Sequence, residues 1–154
     1  LLFFISCNAQ TPTTFSEAAL SEQLVNRNQN TITFNEVLKQ NAGKKIVVDF
    51  WASWCRDCLV SLPRLKKLQK KYPEAMFLFL SVDESQKAWN RAIEKYKIKG
   101  EHYNLPKGWK NQELLNFIDL NWIPRYMVID EKGEIALFKA TKIIDRKIED
   151  ALKK

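Results

Sequence analysis

The sequence predicts an α/β domain of layered architecture, and three observations predict it. Two apolar runs rich in β-branched and aromatic residues, "KIVVDFW" (45–51) and "AMFLFLSV" (75–82), have the continuous pattern of central strands buried on both faces. Each run is followed by a segment with apolar residues at helical spacing. The chain then closes with two strands around a turn and a last helix. Strands and helices alternating in this way pack as layers around one core. At 154 residues the chain has the length of one such domain.

The elements follow in order. In "TITFNEVLKQNAGK", Thr33 and Glu36 have the spacing of a capping box, Val37 and Leu38 face inward, and Gly43 stops the helix. The strand "KIVVDFW" runs into a helix that begins near Cys55. Leu62, Leu65 and Leu68 share one face of it, while Arg64, Lys67 and Lys71 look outward. After "AMFLFLSV", the segment "ESQKAWNRAIEKY" carries Trp89, Ala92, Ile93 and Tyr96 at helical spacing. "KIKGEHYNLPKGW" is irregular, with an extended piece near 101–104 and a loop at Pro106 and Gly108. "NQELLNFI" reads as a short helix. "YMVID-EKGE-IALFK" is a hairpin in which Gly133 supplies a positive φ. The last helix starts near Asp145 and buries Ile148, Ala151 and Leu152.

Composition narrows the function classes. The chain is 45% hydrophobic and 28% charged, with four glycines and five prolines, which excludes a disordered or low-complexity chain. The net charge of +7 is spread along the chain, and its densest grouping, "RLKKLQKK", reads as a solvated helix face. No arginine-rich tail or basic aromatic platform marks a nucleic-acid partner. The N-terminal "LLFFIS" turns at once into the polar, non-alternating "CNAQTPTTFSE", as the tail of an export signal does. "FISC" resembles a bacterial lipobox, which makes Cys7 a lipidation candidate; cleavage after Ala9 is the other processing route. Either route implies export to the periplasm or cell envelope of a bacterium, an oxidising compartment. Residues 1–14 are thus read as signal remnant and tether, and 15–154 as the domain.

The chemistry-bearing stretch is "FWASWCRDC" (50–58), with Cys55 and Cys58 two residues apart. A structural zinc site wants about four ligands. This pair and the single histidine, His102, do not supply them, so no metal is expected. A structural staple is weak too, because a bridge this short removes little unfolded-chain entropy. A redox pair has a mechanism. A cysteine at a helix N-terminus sits where unpaired N–H groups and the helix dipole favour its thiolate. Cys55 is therefore expected to be the exposed nucleophile. Cys58, one turn inside, is expected to be covered and to resolve the mixed disulfide. Arg56 favours the thiolate and Asp57 opposes it. This chemistry needs no cofactor.

"VVDFWASWCRDC" closely resembles the active-site stretch of the thioredoxin superfamily, and Pro63 matches the proline that kinks that family's following helix. "WIPRYMVIDEKGEIALF" resembles the family's second signature, in which a cis proline precedes a strand hairpin. The exported N-terminus and the long stretch between "AMFLFLSV" and "NWIP" are more similar to the TlpA branch of bacterial thiol–disulfide oxidoreductases. The resemblance implies a thioredoxin-like fold, a central mixed β-sheet flanked by helices on both faces. It also implies a monomer that exchanges electrons with disulfides of exported client proteins, mainly as a reductase, and draws them from a membrane partner. Pro124 would be the cis proline, and the backbone of Ile123 would pair with the client as an added strand. Trp54 would form the rim beside Cys55, with Arg56 and Asp57 also facing the client. Asp49 matches the family's buried acid, here inside an apolar run where desolvation raises a carboxyl pKa. The sequence departs from thioredoxin in having Arg-Asp between the cysteines and Phe79 where many members place a lysine. A thiol peroxidase and a non-catalytic binding module share the fold; the intact dithiol with Asp49 and Pro124 argues against both. His102, far from both signatures, is expected in a surface position or loop rather than in the site.

Overall fold

The computed structural model of the protein describes residues 9–154, so Cys7 and the apolar stretch around it lie outside the described residues. In chain order the elements are α1 (Glu17–Leu20), β1 (Gln23–Asn26), β2 (Thr31–Thr33), α2 (Phe34–Gln40), β3 (Ile46–Trp51) and α3 (Arg56–Lys71). There follow β4 (Met76–Ser81), α4 (Gln86–Lys95), β5 (Glu101–Asn104), α5 (Glu113–Phe117), β6 (Arg125–Ile129), β7 (Ile135–Ala140) and α6 (Arg146–Lys153). The strands form one sheet in the order β2-β1-β5-β4-β3-β6-β7. The sheet is mixed. β3, β4 and β5 run parallel, β6 is antiparallel to both β3 and β7, and β1 is antiparallel to both β5 and β2.

Every residue of β3 and of β6 is buried. A strand with both faces covered has no solvent side to keep polar, which is why "IVVDFW" shows no alternation. α3 buries Leu62, Leu65 and Leu68 and exposes Arg64, Lys67 and Lys71, as its spacing requires. Its C-terminal end is tied to α6 through Glu149, whose carboxylate accepts from Lys71 Nζ (2.6 Å) and the Tyr72 hydroxyl (3.0 Å). Thr33 and Glu36 form the expected capping box on α2. The helix ends at Asn41, and Gly43 takes φ +84° in the turn beyond. Gly133 at φ +83° makes the β6–β7 turn, where the Asp130 carboxylate accepts from the N–H groups of Lys132 and Glu134.

Three elements have no counterpart in the sequence reading. α1, β1 and β2 are four, four and three residues long, too short for periodicity to register. β1 and β2 extend the sheet beyond β5, and their hairpin is closed by the Asn26 side chain, which accepts from the N–H groups of Asn28 and Asn30. The chain is already docked before α1. The Thr13 carbonyl accepts from the Ile135 N–H (2.7 Å), and the Phe15 ring packs on Phe34 and Phe117.

One backbone position at the entry to β5 admits no side chain. Gly100 has φ +147°, and a Cβ there would lie 2.6 Å from both the Phe77 carbonyl oxygen and the Phe79 ring. Both contacts belong to the central strand β4, which cannot yield. Gly100→Ala is expected to cost about 1–3 kcal/mol and to lower the urea midpoint with the slope of the transition unchanged.

Candidate active site

The Cys55–Cys58 disulfide sits where β3 hands over to α3. Cys55 is the N-cap residue, and its Sγ accepts from the Cys58 N–H (3.1 Å), so the helix N-terminus is turned onto the sulfur. Both cysteines are buried, Cys55 to 6% and Cys58 to 3% exposure. The expectation of an exposed Cys55 therefore needs correction. In the oxidised pair its sulfur is bonded inward to Cys58, and only a narrow face reaches the surface. That face lines a cleft of about 310 Å³ together with Trp54, Arg56 and Asp57 on one side and Trp109, Trp122 and Ile123 on the other. Cys58 does not reach this cleft.

Five of the expected site residues thus meet at one opening: Trp54, Cys55, Arg56, Asp57 and Ile123. The Ile123–Pro124 bond is cis. Pro124 lines an adjoining cleft of about 450 Å³ that shares Asp57 and Trp122 with the first. Trp109 lies in the irregular 97–122 stretch and had no assigned role. Its indole stands 6.4 Å from that of Trp54, the two tilted at 36°.

A polar network fixes the turn that presents the dithiol. Asp83, 2% exposed, accepts from the Ser53 N–H (2.8 Å), the Ser53 hydroxyl and the Ser81 hydroxyl (2.7 Å). Asn104 at the end of β5 donates to the Asp83 carbonyl (2.8 Å) and the Ser81 carbonyl (3.2 Å). The ends of β4 and β5 thereby hold the loop between β3 and α3. Arg125 performs a similar task on the other wall. Fully buried after Pro124, it donates to the carbonyls of Ile118 (2.9 Å) and Asp119 (3.3 Å), and so anchors the turn that carries Trp122 and Ile123. Burial pulls its pKa below the usual guanidinium value. Neither residue was singled out from sequence. The available signals were a charged residue at the border of each apolar strand core, Asp83 just after one in "LSVD" and Arg125 just before one in "IPRYMVI".

Asp49 lies inside β3, 3% exposed. Its register neighbours are Phe79 on β4 and Tyr126 on β6, so an aromatic ring does stand where a lysine was looked for. No hydrogen-bond partner meets its Oδ1 among the described residues, and desolvation pushes the carboxyl up to about 8. The Tyr126 hydroxyl is equally buried; desolvation first, and the nearby Asp49 second, raise its pKa far above the ordinary value. His102 corrects an expectation. It belongs to strand β5, half-buried, stacked on Phe79 at 4.9 Å with Nε2 on the Ile98 carbonyl (2.7 Å). Burial lowers its pKa to about 4. It lines neither cleft. Among the described residues no three His, Cys, Asp or Glu side chains converge as metal ligands would.

A thioredoxin-like family model matches residues 43–135, more than half of the chain. The chain belongs to the thioredoxin-like family. The match includes the dithiol, Asp49 and Pro124. Among curated relatives, mitochondrial thioredoxin-3 of Saccharomyces cerevisiae is 43% identical over 56 residues, 36% of this chain and 42% of that one. Sporulation thiol-disulfide oxidoreductase A of Bacillus subtilis is 26% identical over 106 residues, 68% of this chain and 64% of that one. The matched stretches thus span about two fifths to just under two thirds of those relatives. A Bacteroides vulgatus structure assigned as a thiol-disulfide oxidoreductase is 29% identical, covers 95% of this chain and 90% of its own, and superposes with a TM-score of 0.69. The fold is the thioredoxin fold, as the resemblance implied.

The buried carboxyl sets a pH dependence of stability. Its ordinary value is 3.8 and its folded value about 8. Between these limits the unfolded state has lost the proton while the folded state keeps it. Stability therefore falls as pH rises from about 4 to about 8. Asp49→Asn is expected to abolish most of this fall, raising the urea midpoint at pH 8 and leaving it little changed near pH 4. Parallel midpoint-versus-pH curves for the two proteins would contradict the assignment.

Proposed function

We propose that the protein is a thiol–disulfide oxidoreductase that reduces disulfides of exported client proteins. The observation that carries this reading is the asymmetry of the pair: Cys55 caps the helix and lines the open cleft, while Cys58 lies behind it. In the reduced enzyme the Cys55 thiolate attacks one client sulfur. The client disulfide breaks, a mixed disulfide forms, and one client thiolate leaves. In the fraction of molecules in which it is ionised, the Asp49 carboxylate takes the proton of Cys58, and the Cys58 thiolate attacks Cys55 Sγ. The mixed disulfide breaks, the Cys55–Cys58 bond forms, and the second client thiolate leaves. The client gains two electrons and the dithiol loses two; a membrane dithiol partner restores them. A carboxyl near pH 8 is suited to a thiol's proton, since catalytic pKa values work best near the operating pH. The client backbone pairs with that of Ile123 as an added strand beside Pro124, and Trp54, Arg56 and Asp57 line its path.

The apolar "LLFFISC" supports an envelope location, with Cys7 as the lipid attachment site and a monomeric domain carried on the segment that follows. No described helix is long and apolar enough to cross a membrane. Several acyl chains on Cys7 would hold the domain firmly where one would not. Intact mass of the native protein decides this; a mature chain beginning at Gln10 overturns the anchor.

Two experiments test the chemistry. Cys58→Ser is expected to accumulate mixed disulfides with clients and Cys55→Ser to accumulate none. Faster alkylation of Cys58 than of Cys55 in the reduced protein would reverse the assignment. In stopped-flow reduction at neutral pH, Asp49→Asn is expected to slow the resolving step by about tenfold or more while the first attack changes less. Insulin reduction without peroxide consumption separates this reading from a thiol peroxidase, and the absence of both would leave a binding module. A reduction potential near about −270 mV fits a reductant, and one near about −120 mV would make the protein an oxidant.

A further inference from the structure

Among the described residues, the four exposed large apolar side chains, Trp54, Val60, Trp122 and Ile144, all line the two clefts beside the dithiol. Their exposures, between 57% and 67%, are costly in water, and clustering on one face marks a surface that is covered in use. The two clefts join at Asp57 and Trp122. The second cleft in turn shares Arg64, Ile143 and Ile144 with a third, of about 270 Å³, that reaches Lys67, Lys71 and Glu149. The result is one groove along the outer flank of α3, from Cys55 to Lys71.

The groove changes character along its length. At the dithiol it is aromatic, walled by Trp54, Trp109 and Trp122. Two helical turns on it is aliphatic and cationic, lined by Val60, Ile143 and Ile144 together with Arg64 and Lys142. Neither Arg64, Lys142 nor Lys67 makes an ion pair among the described residues, whereas Glu149 is already engaged by Lys71 (2.6 Å). At about 1.5 Å per helical residue the groove is about 24 Å long. An extended chain at about 3.3 Å per residue fills it with about seven residues. Arg64 lies about 14 Å from the Cys55 end, or about four residues of extended chain.

Resting on the redox reading above, we propose that the client presents its cysteine in an extended acidic segment. A bulky apolar side chain next to the cysteine seats between Trp54, Trp109 and Trp122. Carboxylates three to four positions away lie over Arg64 and Lys142, with Lys67 beyond them. Charge selects this occupant over a second copy of the chain, which at +7 would bring like charge to this cationic stretch.

The test uses pre-reduced enzyme in single turnovers with short synthetic peptides. Each carries one cysteine as its mixed disulfide with 2-mercaptoethanol. The peptides have Phe or Ala next to the cysteine, and Glu or Lys at the third and fourth positions on either side of it. In each turnover the peptide disulfide takes two electrons, the enzyme dithiol becomes its disulfide, and two thiols are released. Rates are divided by that for hydroxyethyl disulfide, so that changes in the dithiol itself cancel. The Glu peptide with Phe is expected to react about five- to tenfold faster than its Lys counterpart at low salt, with the ratio falling at high salt. The paired change Arg64→Glu, Lys142→Glu is expected to reverse that order, and Trp109→Ala to remove the preference for Phe while keeping the preference for Glu. Equal rates for Glu and Lys peptides, or a Glu preference that survives the charge reversal, overturns the client proposal alone. Failure to reduce hydroxyethyl disulfide overturns the redox reading, and the client proposal with it.

Discussion

The carboxylate of Asp83 holds the dithiol where it is. Backbone leaving a central strand and entering a helix has several ways to turn, and only a fixed turn can put a cysteine on the helix N-terminus. Here the turn is pinned by the Ser53 N–H and hydroxyl on one buried carboxylate, which also accepts from the Ser81 hydroxyl, while Asn104 donates to the Asp83 backbone carbonyl. Each of these buried polar groups would cost about 1–3 kcal/mol if left without its partner. The network is therefore satisfied as a unit or not at all, and the position of Cys55 inherits its rigidity. Arg125 does the same for the facing wall, so that both lips of the cleft are fixed to the ends of strands rather than left to the loops that form them.

Asp49 shows the opposite use of burial. Its carboxyl lies between Phe79 and Tyr126, and nothing among the described residues compensates Oδ1. A residue selected for stability alone would not be left so. The cost is consistent with a group whose proton affinity matters more than its contribution to the fold. Asp83 is equally buried, but both of its carboxylate oxygens are hydrogen-bonded, whereas Oδ1 of Asp49 has no such partner among the described residues.

The central strands, the dithiol helix and the hairpin were legible because their signals are local: unbroken apolar runs, leucines three apart, a glycine at the turn. The cysteine spacing and the two signature stretches made the site legible as well, down to the cis bond before Pro124. What escaped was carried by tertiary contact. β1 and the edge strand β2 have only four and three residues, and only Leu24 in them is fully buried, so no alternation develops. Asp83 and Arg125 act through partners up to thirty residues away in sequence. Trp109 joins the cleft only because the irregular 97–122 stretch folds back beside Trp54. Cys55 is buried with its sulfur bonded to Cys58, and spacing alone does not encode how deep that leaves it.

The ends of the sheet carry a consequence of their own. A free strand edge is a template on which other chains can polymerise. At one end β2 has three residues and passes straight into α2 through its cap at Thr33. At the other, the first N–H of β7 is taken by the Thr13 carbonyl. The short stretch before α1 thus caps the start of that edge. A protein trimmed past Thr13 would free the Ile135 N–H and lengthen the open edge on which a second chain could pair.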